Sequence, residues 1–430
     1  MYKRVFKKYF QLNKLEGIDK ITLKHNIIMH IADGAIFGFA MNFASVNIIM
    51  PVFIERIGGS SIEIGSIPVL WAIGLNLPQF LFTHLFKNDE KIKPVALRYG
   101  LLNRSMFLLI SLFAFLLLPN IPKFLSVYFL LSLIFITALT GSIGIPSWYT
   151  LFSKTTPIKL RGRLQAIRQL FSSSLGILAG YLITIILSLV KFPENFADLF
   201  LICYFLTMLS FNFLRQVREP DTLVKEEISI PHISRLSRAK KILKENKNFK
   251  NFLISDAVYL ISMTIFAFFA VYGIKKFHLP TSYVGNFTIV LMGSMVLGNV
   301  IFGYLGDTFG HKNNLIIISL SSMAASITAV ISNNILIFGL VFVFMGSSTA
   351  IQGISRLAFV VEVCNESERS FYISLLNTVI SPALLFGVVS GILISFLGFE
   401  PVFLINALLA VFAAIWLIKK VEEPRKLRIS

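Results

Sequence analysis

Residues 303–312 read GYLGDTFGHK, between an apolar run that ends at Tyr304 and another that begins near Leu315. Three glycines, an aspartate, a histidine and a lysine interrupt sequence that is otherwise almost free of charge. Glycine lets two helices approach closely and turn tightly. An aspartate there can accept hydrogen bonds from the exposed amides at the N-terminus of a neighbouring helix. The stretch reads as a short, structured loop between two apolar helices.

Working outward, the 430-residue chain is 55% hydrophobic and 14% charged, with a mean hydropathy of +0.76, values of a membrane protein rather than a soluble one. Apolar runs of roughly 18 to 28 residues recur along the chain, each long enough at about 1.5 Å per residue to cross a ~30 Å hydrocarbon core. About twelve such runs lie between residues 27 and 418. They are continuous in Leu, Ile, Phe and Val rather than alternating, which predicts helices rather than a barrel. The expected fold class is an all-α polytopic membrane protein with twelve transmembrane helices.

The net charge of +18 does not indicate nucleic acid, because the basic residues are placed asymmetrically. With twelve helices both termini and alternate loops share one face, and about 34 of the 40 Lys and Arg fall there. The other face has Arg56, Lys123, Lys191, Lys275 and Lys276, while Arg104 lies inside the third run. The positive-inside rule then places both termini in the cytoplasm, the chain being multi-pass in the cytoplasmic membrane with lipid as its surroundings.

The longest polar stretch, between Arg215 and Lys250, divides the runs six and six. The expected organisation is a basic amphipathic segment over 1–26 without a signal-cleavage site, a bundle over 27–214, a cytoplasmic loop over 215–250, a second bundle over 251–418 and a tail over 419–430. A weak internal repeat accompanies the division. It pairs Asp33 with Asp256, Gly65 with Gly285, Gly144 with Gly353, and Gly176 and Gly180 with Gly387 and Gly391, at a steady offset of about 210 to 223 residues.

Two sixes of helices around a basic central loop resemble the major facilitator superfamily. That family's signature loop runs Gly, three residues, Asp, a basic residue, any residue, Gly and two basic residues. Gly303, Asp307, Gly310 and Lys312 match it, whereas Thr308 and His311 stand at positions that are usually basic. The equivalent loop of the first half, THLFKNDEKIKP, keeps Lys87, Asp89, Lys91 and Lys93 but has lost the glycines. Arg161 and Arg163 after the fourth run, and Glu368 and Arg369 after the tenth, are similar to charged clusters that the family sets around a cytoplasmic gate. The resemblance implies two six-helix bundles, a central cavity lined by the first and seventh helices, monomeric secondary transport by alternating access, and no cofactor.

Ionisable groups at membrane depth are costly and so are functional candidates. Asp33 and its counterpart Asp256 are candidates for proton coupling or for holding a solute. His30 lies one turn before Asp33 on the same helix face. Arg104 needs a partner at depth, Asp33 being one, or else snorkels to the headgroups. Asn42, Gln79 and Gln352 are candidate substrate contacts. Cys203 and Cys364, far apart in apolar surroundings, suggest neither a disulfide nor a metal site. The glycine pairs in SSSLGILAGYL and SPALLFGVVSGIL predict close helix crossings, without the proline found in the fifth helix of some drug antiporters.

Rival classes find little support. His84 and Asp89 have the spacing of some membrane acyltransferases, but no further catalytic cluster accompanies them, and no phosphate-binding loop or dinucleotide fingerprint is present. An enzyme is therefore not expected. A proton-coupled secondary transporter of a small solute is the leading expectation, with a transporter-like receptor or lipid-moving protein on the same fold as the alternative.

Overall fold

The computed structural model describes residues 19–82, 91–220, 232–365 and 368–427. The first span is α1 (Lys20–Met41) and α2 (Ile49–Ile57), joined through a 3-10 turn over Asn42–Ala44. It is followed by α3 (Ser61–Phe82), α4 (Lys93–Leu112), α5 (Lys123–Thr155), α6 (Ile158–Leu189) and α7 (Glu194–Arg215). A surface helix α8 (His232–Glu245) lies in the central polar stretch. The second set is α9 (Lys247–Met263) with α10 (Phe266–Lys276), α11 (Tyr283–Phe309), α12 (His311–Ile331), α13 (Ile335–Val363), α14 (Arg369–Ile380) with α15 (Phe386–Leu397), and α16 (Phe399–Lys420). A single turn, α17 (Pro424–Leu427), follows. Among the described residues eleven spans are long and apolar enough to cross a membrane, and α3, whose described apolar part is Ser61–Asn76, lies between the first two of them.

Local sequence explains the boundaries. Asp19 caps α1 by accepting from the amides of Ile21 (2.9 Å) and Thr22 (3.3 Å), so the first helix starts at Lys20 rather than at 27. Asn246 and Asn334 cap α9 and α13 in the same way. The central stretch is likewise not a simple loop, since α8 occupies part of it and α9 begins at Lys247. Gly310, at φ +89°, is the one residue between α11 and α12, a left-handed turn that glycine adopts without penalty. The first and seventh spans are both broken near mid-length, where Asn42 bonds back to the Gly38 carbonyl (2.8 Å) and Thr264 to that of Ile261 (2.7 Å).

The same neighbours recur in each set of six. In the first, α1 packs on α6 and α7, α3 and α4 on α5, and α4 on α7; in the second, α9 packs on α16, α11 and α12 on α13, and α12 on α16. Two long crossings join the sets, α3 running along α15 and α6 along α11, with smaller contacts of α10 on α2 and α3. Both crossings are made by glycine. A Cβ on Gly65 would strike the Gly387 carbonyl, and one on Gly180 would lie 2.7 Å from the Gly285 carbonyl. Ion pair Glu55–Lys275 (3.2 Å) and the Thr184–Asn286 hydrogen bond (3.3 Å) lie at the same end, remote from the termini.

Core packing follows that asymmetry. One continuous cluster spans both sets at the end remote from the termini, with Phe53 stacked on Phe196 (4.7 Å) and Phe287 on Phe342 (4.3 Å). Towards the termini the buried side chains separate, into one cluster around Phe252 and Phe359 in the second bundle and smaller ones around Leu164 and around Leu214 in the first.

Candidate functional site

Because α1 starts at Lys20 rather than at 27, Asp33 lies about 20 Å along it, well past the first turns. It is buried, and three helices supply its partners. Ser210 on α7 donates to Oδ1 (2.8 Å), Arg104 on α4 sets Nη2 at 3.6 Å from Oδ1, and Arg168 on α6 brings Nη2 to 3.3 Å from Oδ2. Arg104 does not snorkel. Its Nε donates to the Thr207 carbonyl (2.9 Å), Nη1 to Gly100 (3.0 Å) and Nη2 to Ser210 Oγ (3.3 Å), while its guanidinium lies 5.4 Å from the rings of Phe37 and Phe211. Arg168 stacks on Trp148 at 4.6 Å and approaches Phe152 at 5.7 Å.

These groups border a cavity of about 340 Å³, towards the small end of the roughly 300–1,000 Å³ usual for small-molecule sites. Asp33, Arg104 and Arg168 form its charged part, Asn103 and Thr137 add neutral polar groups, and Phe37, Trp71, Tyr99, Trp148 and Tyr149 form its aromatic walls. Every lining residue belongs to the first bundle, so this cavity is not between the bundles. His30 does face the same side of α1, but its Nε2 bonds Thr155 Oγ1 (2.8 Å) and its ring sits edge-on to Phe152 at 5.1 Å. Asn42 is spent on the helix break and packs near Gly176, outside the lining. Gln352 on α13 is also outside it, and the Gln79 side chain is outside the described residues, as are Lys87, Asp89 and His84.

Asp256 occupies α9 in the second bundle and is held by Arg356 of α13, whose Nε reaches Oδ1 at 3.1 Å and Oδ2 at 2.9 Å. Sequence reading missed both Arg168 and Arg356. Arg356 was visible as a lone cation inside an apolar run, whereas Arg168 resembled part of the basic cluster after the fourth run until α6 was seen to start at Ile158, about 15 Å earlier.

The loop at 303–312 is arranged differently from expectation. A Cβ on Gly303 would meet nothing within 4 Å; Gly306 is the close approach, its hypothetical Cβ lying 2.8 Å from the His311 ring. The acceptor at the N-terminus of α12 is Glu423, which takes the Lys312 amide at 3.1 Å, rather than Asp307. Asp307 is exposed and offers its backbone carbonyl to Arg425 (2.6 Å), which also binds Glu362 (2.8 Å). Lys312 Nζ reaches the Ile418 carbonyl at 3.5 Å. Arg161 donates to the carbonyls of Thr156 (3.0 Å) and Ser153 (2.8 Å) at the end of α5, and Glu368 pairs with Arg238 of α8 (3.1 Å) rather than with the signature loop. Arg163 lies in the second turn of α6 and Arg369 opens α14, both at the end that carries the termini.

A counterpart exists in the first bundle. Glu219 accepts from the amides of Ile92 (3.0 Å) and Lys93 (2.9 Å) at the start of α4 and pairs with Lys154 (3.0 Å). The signal was the repeat VREP at 217–220 and VEEP at 421–424, each directly after the last helix of its bundle.

Two six-helix bundles that share a core at one end and sequester arginine–aspartate pairs at membrane depth define a multi-pass membrane protein with a transporter fold. The family model for the Major Facilitator Superfamily matches residues 33–296 and 252–430, and the chain belongs to that family. Its fold is similar to that of a nucleoside transporter, NupG (TM-score 0.68, 14% identity, 93% of this chain and 100% of that one). It is also similar to a D-xylose–proton symporter (0.69, 12%, 93% and 98%) and to a bacterial homologue of the human lysosomal transporter Spinster in an inward-facing, unoccupied conformation (0.68, 12%, 93% and 97%). No curated protein matches the sequence significantly.

Proposed function

We propose that the chain is a secondary transporter of the cytoplasmic membrane, moving a small solute by alternating access of its two bundles as a monomer. The observation that carries this reading is the single core shared at the end remote from the termini, with separate cores towards the termini. Two rigid bodies joined at one end by glycine crossings can rock against each other and exchange which end is closed. With the basic face in the cytoplasm, the present arrangement is inward-open. The solute is held beside Asp33, and a proton gradient drives the cycle through Asp33 and Asp256, each bound by arginine in this state. These features favour a transporter over a receptor, since each bundle carries its own buried charge pair.

The test is proton flux into proteoliposomes containing a trapped pH dye, with sugars, amino acids, organic acids and lipophilic cations added in turn. Flux evoked by one class is expected, and Asp33→Asn and Asp256→Asn should each alter its pH dependence. Silence across the panel from folded protein, or two variants with wild-type pH profiles, would remove the transport or the coupling assignment respectively.

A further inference from the structure

The two buried charge sites are not equivalent. In the second bundle one guanidinium meets one carboxylate, as Arg356 clasps Asp256 through both oxygens. In the first, two guanidiniums, Arg104 and Arg168, share the single carboxylate of Asp33. His30 adds no negative charge. A buried cation without a full counter-ion is costly, and a ligand anion in the adjoining cavity would supply the missing charge.

Hydrogen-bond accounting identifies the group that would receive it. A guanidinium has five N–H bonds to place. Arg104 places three of its own on Thr207, Gly100 and Ser210 beside Asp33. Arg168, its side chain 12% exposed, reaches Asp33 through Nη2, yet its Nη1 is buried with no hydrogen-bond partner among the described residues, as is Nη2 of Arg356 in the second bundle. Its flat face is covered by Trp148, which leaves the edges of the fork for an in-plane carboxylate, the geometry guanidinium recognises best. The surrounding walls, Phe37, Trp71, Tyr99, Trp148 and Tyr149, suit a ring rather than a polyol.

We propose, on the basis of the transport reading above, that the first-bundle cavity takes a ring-bearing organic monoanion whose carboxylate docks on Arg168. A cation would face two arginines, and a neutral solute would leave the excess charge unmatched. A dianion would overcompensate it.

The experiment is equilibrium binding of radiolabelled phenylacetate, phenylacetamide and phenethylamine to the purified full-length protein in detergent. These probes share a ring and differ in charge. Phenylacetate is expected to bind more tightly than either of the others by about tenfold or more. Arg168→Gln should abolish that preference, Arg168→Lys should retain part of it, and Asp33→Asn should raise phenylacetate affinity because the competing carboxylate is gone. A merely structural Asp33–Arg168 pair would make both neutralising variants worse. The inference is overturned if no probe binds, if the amide or amine binds as well as the acid, or if the preference survives in Arg168→Gln. Binding needs no transport, so its outcome separates from that of the flux assay. Anion binding without flux in any panel member would leave the site and remove the transport reading, whereas flux evoked only by neutral or cationic solutes would do the reverse.

Discussion

Glu219 and Glu423 perform the same task in the two bundles, each accepting backbone amides at the N-terminus of that bundle's third helix, where the macrodipole favours an anion. Their environments differ. Glu219 has two amides and the nearly buried ammonium of Lys154, so Glu219→Gln removes a buried ion pair and weakens two amide hydrogen bonds, and should cost about 2–3 kcal/mol. Glu423 takes one described amide and no described ammonium, and Glu423→Gln should cost about 1 kcal/mol. Thermal unfolding of the two variants in the same detergent checks the order; equal losses would show that the Lys154 pair contributes nothing. Asp307, which the signature loop nominates, is exposed in this state and uses only its backbone in the described contacts. Asp307→Asn should therefore change stability by less than about 0.5 kcal/mol while slowing the transport cycle severalfold, if the carboxylate acts in the opposite conformation. Unchanged transport would take it out of the gate.

At the scale of elements, the crossings of α3 with α15 and of α6 with α11 hold one end shut, and both depend on side chains that are absent. A Cβ at Gly65 meets the Gly387 carbonyl, and one at Gly180 meets Ile289 and the Gly285 backbone, so neither clash is relieved by rotating a flexible side chain alone. Gly65→Leu and Gly180→Leu should shift the population towards the state open at that end. A cysteine placed at Val69, buried against Gly387, then becomes severalfold more reactive to a membrane-impermeant maleimide. Gly293→Ala, with nothing within 4 Å of its Cβ, is the control. Labelling that is the same in all three backgrounds would show that these crossings do not set the conformation. Much of this level was legible beforehand, because spacing and hydropathy are properties of single helices. The glycine pairs announced the crossings, although not which helix each would meet. The start of α1 was misplaced because its first turns are polar, and polarity hid a helix that Asp19 caps.

For the whole molecule, the number of spans, the division into six and six and the family were carried by sequence. Continuous hydrophobicity forces helices wherever backbone must cross lipid, and the signature glycines and aspartate survive at 303–312. What only the tertiary structure decided was which groups meet. Asp33 and Arg168 are 135 residues apart and touch because α1 packs along α6; the rotation of each helix about its axis then turns Arg104 and Ser210 towards the same carboxylate. The location of the cavity inside one bundle, and the sharing of a core at one end only, are also consequences of crossing geometry. Local sequence fixes where a helix starts and how apolar it is, but the depth and direction of a side chain depend on packing against partners hundreds of residues away.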